Sequence, residues 1–214
     1  GIEHARGDLD AARTKYEESL GIRRALAESL GTPESLRDVS ISLNNVADIE
    51  HARGDLDAAR TKYEESLGIR RALSESLGTP ESLRDVSVSL NNVARIERAR
   101  GDLDAALAKY EESLRIARAL SESLGTRDAV NEVIWIAQLA AGVELALERP
   151  GGAIVRLDSL VDLALSLASS RDRNHLDSAA AYWERRVELL ELLEWNDEAA
   201  DSRARAAALR ARIG

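Results

Sequence analysis

The chain has 214 residues, 44% hydrophobic and 31% charged, a composition that suits a soluble fold of one or two domains and argues against disorder. It holds no cysteine, which excludes disulfides, thiolate chemistry and cysteine-type zinc sites and fits a cytoplasmic protein. A formal charge of −9 disfavours nucleic acid and anionic membrane as partners, because phosphate attraction needs clustered positive charge. No uninterrupted apolar run of about 18 residues marks a membrane span. Arginine outnumbers lysine 26 to 3, which together with abundant Ala and Leu points to a GC-rich bacterial genome.

The first residues, GIEHARG, lack an initiator Met, and Ile2 to Arg6 match only the tail of a helix that recurs later. Residues 1–6 are therefore expected to end a truncated first helix, with a turn at Gly7. From Gly7 a 47-residue unit runs to Arg53 and is restated at 54–100 with four differences, Ala27/Ser74, Ile41/Val88, Asp48/Arg95 and His51/Arg98. A third copy opens at Gly101 and extends to 147. Restatement at a fixed period is the mark of a stacked array, whereas an active site is assembled once.

Each unit reads as two helices. Gly54 suits a helix C-terminus and Asp55 an N-cap, after which Leu56, Ala59, Tyr63, Leu67, Leu73 and Leu77 form an apolar stripe at helical spacing, ending near Gly78. Thr79-Pro80-Glu81 then supplies an N-cap, a proline at N1 and an early acid, followed by Leu83, Val86, Leu90, Val93 and Ile96. DVSVSL at 85–90 alternates as a strand would, but it lies between two helix caps with no breaker, so the helical reading prevails. Gly21 and Gly68 weaken their helices unless a neighbouring helix approaches closely there.

Beyond 125 the pattern decays. A helix is expected over 127–148. ERPGGA at 148–153 then shifts the register by a few residues before a helix to about 169, giving a degenerate unit over 148–196. A further pair spans about 173–194 and 197–213. Residues 197–214 read as a capping helix with Arg on its wet side.

LNNVADIEHARGDLDAARTKYEESL, from Leu43 to Leu67, resembles the tetratricopeptide repeat: Leu43, Val46-Ala47, Gly54, Ala59 and Tyr63 take the family's positions, as do Leu90, Val93-Ala94, Gly101, Ala106 and Tyr110. The period is 47 residues in place of the usual 34, similar to kinesin light chains and related bacterial multi-repeat proteins. Glu50 and Glu97 replace a usual aromatic, and Ser66 and Ser113 replace Ala. The resemblance implies an all-α, right-handed α-solenoid of antiparallel helix pairs, about nine helices in a single array over 1–214. It also implies a protein–protein interaction scaffold that binds a peptide or partner helix in a concave groove lined by the first helix of each pair.

By that pattern the groove positions are Ile41, Asn44, Asn45, Asp48 and His51, then Val88, Asn91, Asn92, Arg95 and Arg98. Two charge-changing differences between otherwise matching copies thus fall on the expected binding face. The amides could pair with an extended peptide backbone, and Arg95 and Arg98 could hold a carboxylate. Counting on places Trp135, Leu139, Gly142 and Leu145 on the same face, and counting back from Asn196 adds Trp183, as apolar anchors.

No Gly-rich phosphate loop, nucleophile elbow or His-Glu-x-x-His motif occurs, so no enzymatic activity and no cofactor are expected. Asp55 and Asp57 open like a calcium loop but lack its later Gly and Glu. His4 and His51 recur one repeat apart without an acidic partner, and His175 stands alone near a helix start. The alternative function is a self-associating or structural module, or an idealised repeat array, with a homo-oligomer formed through the uncapped N-terminal end.

Overall fold

The computed structural model describes residues 2–167, 173–192, 194 and 196–213. Among them the chain is all-α, in nine helices: α1 (Ile2–Leu30), α2 (Pro33–Ala52), α3 (Leu56–Leu77), α4 (Pro80–Arg100), α5 (Leu103–Leu124), α6 (Arg127–Ala146), α7 (Pro150–Leu167), α8 (Arg173–Leu192) and α9 (Asn196–Ile213). The chain divides within α5 into two compact units, residues 1–116 and 117–214, each built by helices packing on their neighbours in sequence.

Local chemistry sets the boundaries. Thr32 and Thr79 cap α2 and α4, each accepting from the backbone N–H three residues on at 3.2 Å, with proline next in line where no N–H is needed. At the opposite end Gly54 and Gly101 turn back with φ of 84°, a left-handed conformation that favours glycine. DVSVSL lies wholly within α4, so the caps outweigh its alternation. Asp55 stands at the N-cap of α3 but makes no capping bond. Its carboxylate accepts from Arg53 Nε at 3.2 Å, and Asp57 pairs with Arg100 at 2.9 Å, so arginines answer both acids of the calcium-like stretch.

Three expectations change. α1 continues through Gly7 without the turn seen at Gly54 and Gly101. The register does not shift at ERPGGA: Glu148 takes the left-handed conformation, φ 57°, 47 residues after Gly101, and α7 begins 47 after α5. The turn bonds repeat as well, Glu148 N donating to Leu145 O at 3.0 Å as Gly101 N donates to Arg98 O. Finally, Gly21 and Gly68 face open space, so close packing does not explain them. Gly68→Ala is expected to stabilise the first unit by about 1 kcal/mol, read as a higher Tm, and a loss would reveal a hidden contact.

In the first unit Leu43, Val46 and Val39 of α2 pack with Leu20 and Ala27 of α1, and Tyr63, Ala59 and Leu67 of α3 pack with Leu90, Val93 and Ile96 of α4. Each such large side chain contributes about 1.5–3 kcal/mol on burial. Leu77 and Leu83, at the helix ends, stay exposed.

The two acids that replace the family's aromatic link neighbouring helices. Glu50 and Glu97, each 2% exposed, take Arg13 Nε at 2.7 Å and Arg60 Nε at 2.5 Å. The third copy keeps the acid, Glu144 receiving Arg156 Nε at 2.8 Å. Ser66 and Ser113 are small enough for their hydroxyls to reach the Ser40 and Ser87 carbonyls at 3.0 and 3.1 Å. Buried Arg70 donates to Ser40 Oγ at 3.0 Å and the Asp85 carbonyl at 3.1 Å; burial lowers its pKa, and Asp85 opposes that shift.

In the second unit Ala199, Ser202, Ala206 and Leu209 of α9 are buried while Arg203, Arg205 and Arg210 are exposed. The window Asp128–Ala146, which takes in most of α6, is long and apolar enough to cross a membrane, a property the sequence reading did not anticipate, and 56% of it is buried in the fold.

Candidate functional site

Helical spacing puts Ile41, Asn45 and Asp48 of α2 in one row and Val88, Asn92 and Arg95 of α4 in another. Ile41, Asn45, Asp48, Val88 and Arg95 are exposed, and Asn92 is half-buried. No described group bonds the side chain of Asn45 or Asn92. The preceding asparagines point inward: Asn91 is buried and Asn44 half-buried, and in both the Oδ1 is enclosed without a partner. Two occluded amide oxygens at the same place in successive copies each cost about 1–3 kcal/mol.

Asp48 and Arg95 face each other. Arg95 donates to Asp48 Oδ1 at 2.8 Å and to the Tyr63 hydroxyl at 2.6 Å, Tyr63 donates to the same Oδ1, and the guanidinium lies 5.7 Å from the Tyr63 ring centre. Burial first, and then Asp48, push the Tyr63 phenol well above its ordinary pKa, so it stays a donor. An aspartate kept at 95 would set a second carboxylate beside Asp48. The divergence between the copies therefore serves an internal ion pair, a use that sequence reading missed because the partners lie a whole repeat apart.

Arg98 is exposed and makes no ion pair among the described residues. Its field, with that of Arg95, tempers the upward shift that burial gives Tyr110. His51 is half-buried in the last turn of α2. No group of three or more His, Cys, Asp or Glu able to hold a metal occurs among the described residues, and the side chains of His4 and His175 lie outside them.

In the second unit Trp135 is 51% exposed and Leu139 half-buried on α6. Trp183 does not join them through a described contact. It lies against the guanidinium groups of Arg186 and Arg205, at 5.5 and 5.0 Å from the ring centre. Its neighbour Tyr182 is the residue that reaches α6, accepting from Gln138 Nε2 at 2.9 Å. Counting back from Asn196 thus lands one residue away from the side chain that matters, and Gln138 has no sequence signal beyond standing 47 residues after Asn91.

Residues 38–119 match the tetratricopeptide repeat family. No curated protein matches the chain. Among solved structures it is similar to a putative kinesin light chain of Podosopora anserina with nearly identical TPR-like repeats, at TM-score 0.67 and 18% identity, covering 97% of this chain and 90% of that one. It is also similar to BtubC from P. vanneervenii, at TM-score 0.64 and 18% identity over 96% and 75% of the two chains. PlcR of Bacillus thuringiensis, solved with the peptide PapR7 and DNA, follows at TM-score 0.51 and 16% identity over 98% and 70%. Repeats of this family generally mediate protein–protein interaction. Residues 38–119 are thus tetratricopeptide repeats, set in a chain whose helical fold is similar to that of other repeat proteins.

Proposed function

We propose that the chain is a protein-interaction module that holds an extended partner segment along α2 and α4, the groove implied by the repeat pattern. The observation that carries this is the pair of equivalent amides, exposed Asn45 and half-buried Asn92, that no described group bonds, each in a row with an exposed apolar residue, Ile41 or Val88. Asn45 and Asn92 offer a donor and an acceptor each, suited to pairing with backbone groups irrespective of partner sequence. Arg98 supplies a positive end for a carboxylate, while Arg95 is held by Asp48 and Tyr63.

A second reading, stacking or self-association, has its own observation. Tyr16 and Leu26 on α1 are exposed, whereas their counterparts Tyr63 and Leu73 on α3 are buried. Selection of a displayed library of extended peptides on the whole chain separates the two. Peptides that bind the native chain and lose it at least tenfold in the Asn45→Ala/Asn92→Ala variant, at unchanged helicity, support the groove. Peptides indifferent to both changes, with a molar mass that rises with concentration in light scattering, sink it in favour of self-association.

A further inference from the structure

The second unit contains a cavity of about 300 Å³ between α6, α7 and α8, lined by Gln138, Gly142, Leu145, Leu157, Tyr182 and three alanines. Its origin can be read from the first unit. Positions 48, 95 and 142 are equivalent in successive copies, as are 63, 110 and 157, and the unshifted turn at Glu148 keeps that equivalence in space. Between α2, α3 and α4 the corresponding volume is filled by the Tyr63 ring, closed by Asp48 and Arg95. In the second unit Gly142 stands in place of the charged side chain and Leu157 in place of the ring, so the volume is left open. Gly142 confirms the opening: a Cβ there would meet nothing within 4 Å.

We propose that this cavity receives a tyrosine side chain from a partner segment, supplying from outside the ring that Tyr63 supplies from within. The size suits it, since an apolar cavity of about 150 Å³ already holds benzene and ligand sites begin near 300 Å³. The lining suits it as well. Apolar groups surround the ring, and at the rim Gln138 gives its Nε2–H to Tyr182, leaving the amide oxygen to accept from an incoming phenol. The proposal rests on the reading of the chain as a protein-binding module for the source of the ring, and the experiment separates the two.

The probe is p-cresol, the side chain of tyrosine alone, titrated into the whole chain and followed by saturation-transfer NMR on the ligand. Saturable one-to-one binding is expected. Gly142→Leu, which projects into open space and should leave helicity and Tm unchanged, is expected to weaken it at least tenfold, and Leu157→Tyr should do the same by refilling the cavity. Asn45→Ala/Asn92→Ala should leave p-cresol binding untouched. An absence of saturable binding, or binding indifferent to both Gly142→Leu and Leu157→Tyr, overturns the proposal. Cresol binding that persists while peptide binding survives the asparagine changes would sink the groove and spare the cavity.

Discussion

Replacing Arg60 and Arg100 together by methionine is expected to destabilise the first unit by about 3–5 kcal/mol, whereas Glu97→Leu should stay within about 1 kcal/mol of the parent. The asymmetry follows from where the charges sit. Glu97 is 2% exposed and receives Arg60 Nε at 2.5 Å and Arg100 at 2.9 Å, while both arginine side chains retain substantial contact with water. Removing the arginines strands a carboxylate away from solvent. Removing the carboxylate leaves two guanidinium groups that can turn outward. Urea unfolding followed by circular dichroism reads the difference, and equal losses in the two variants would show that the network acts as a surface ion pair worth little in either direction.

Tyr63→Ala is expected to cost about 3–5 kcal/mol, because the ring is fully enclosed and its removal leaves a void. Tyr63→Phe should cost only about 1 kcal/mol, since Asp48 and Arg95 still bond each other. The same phenol sets an alkaline limit. Its folded pKa is raised, so the stability linked to it is complete below about pH 10, where unfolded tyrosine begins to ionise, and is lost as pH rises toward the folded value. Tm measured from pH 8 to 11 should therefore fall at the alkaline end, and less steeply in Tyr63→Phe. Burial raises Tyr110 and Tyr182 too, so part of the slope should remain. A slope identical in the variant would count against ionisation of Tyr63.

Helices and turns were legible because they are written locally. Thr79-Pro80 and Gly101 mark α4 strongly enough to override the alternation of DVSVSL. The turn at Glu148 was not, since a glutamate carries no sign of the left-handed conformation that the packed pairs impose on it. The buried acids were visible only as departures from the family's aromatic. Their arginine partners on the preceding helix, Arg13 and Arg60, are 37 residues away in the chain, beyond any spacing rule for one helix. The same holds for the candidate sites. Asn45 and Trp135 are exposed and were named from the repeat pattern alone, but the Asp48–Arg95 contact depends on how one copy stacks on the next. Tyr182 was hidden by a one-residue error across α8, and the cavity beside it consists of side chains that are absent, which no motif records.

The strict succession of packed helices also governs how this chain reaches its fold. From α1 to α4 and from α6 to α9 each helix packs on the next in sequence, and even the bond from Arg37 to Asp85 closes a loop of only 48 residues. Little chain entropy must be surrendered before contacts begin to form, so folding is expected to be fast and to start from either of the two near-identical copies, with no obligatory first nucleus.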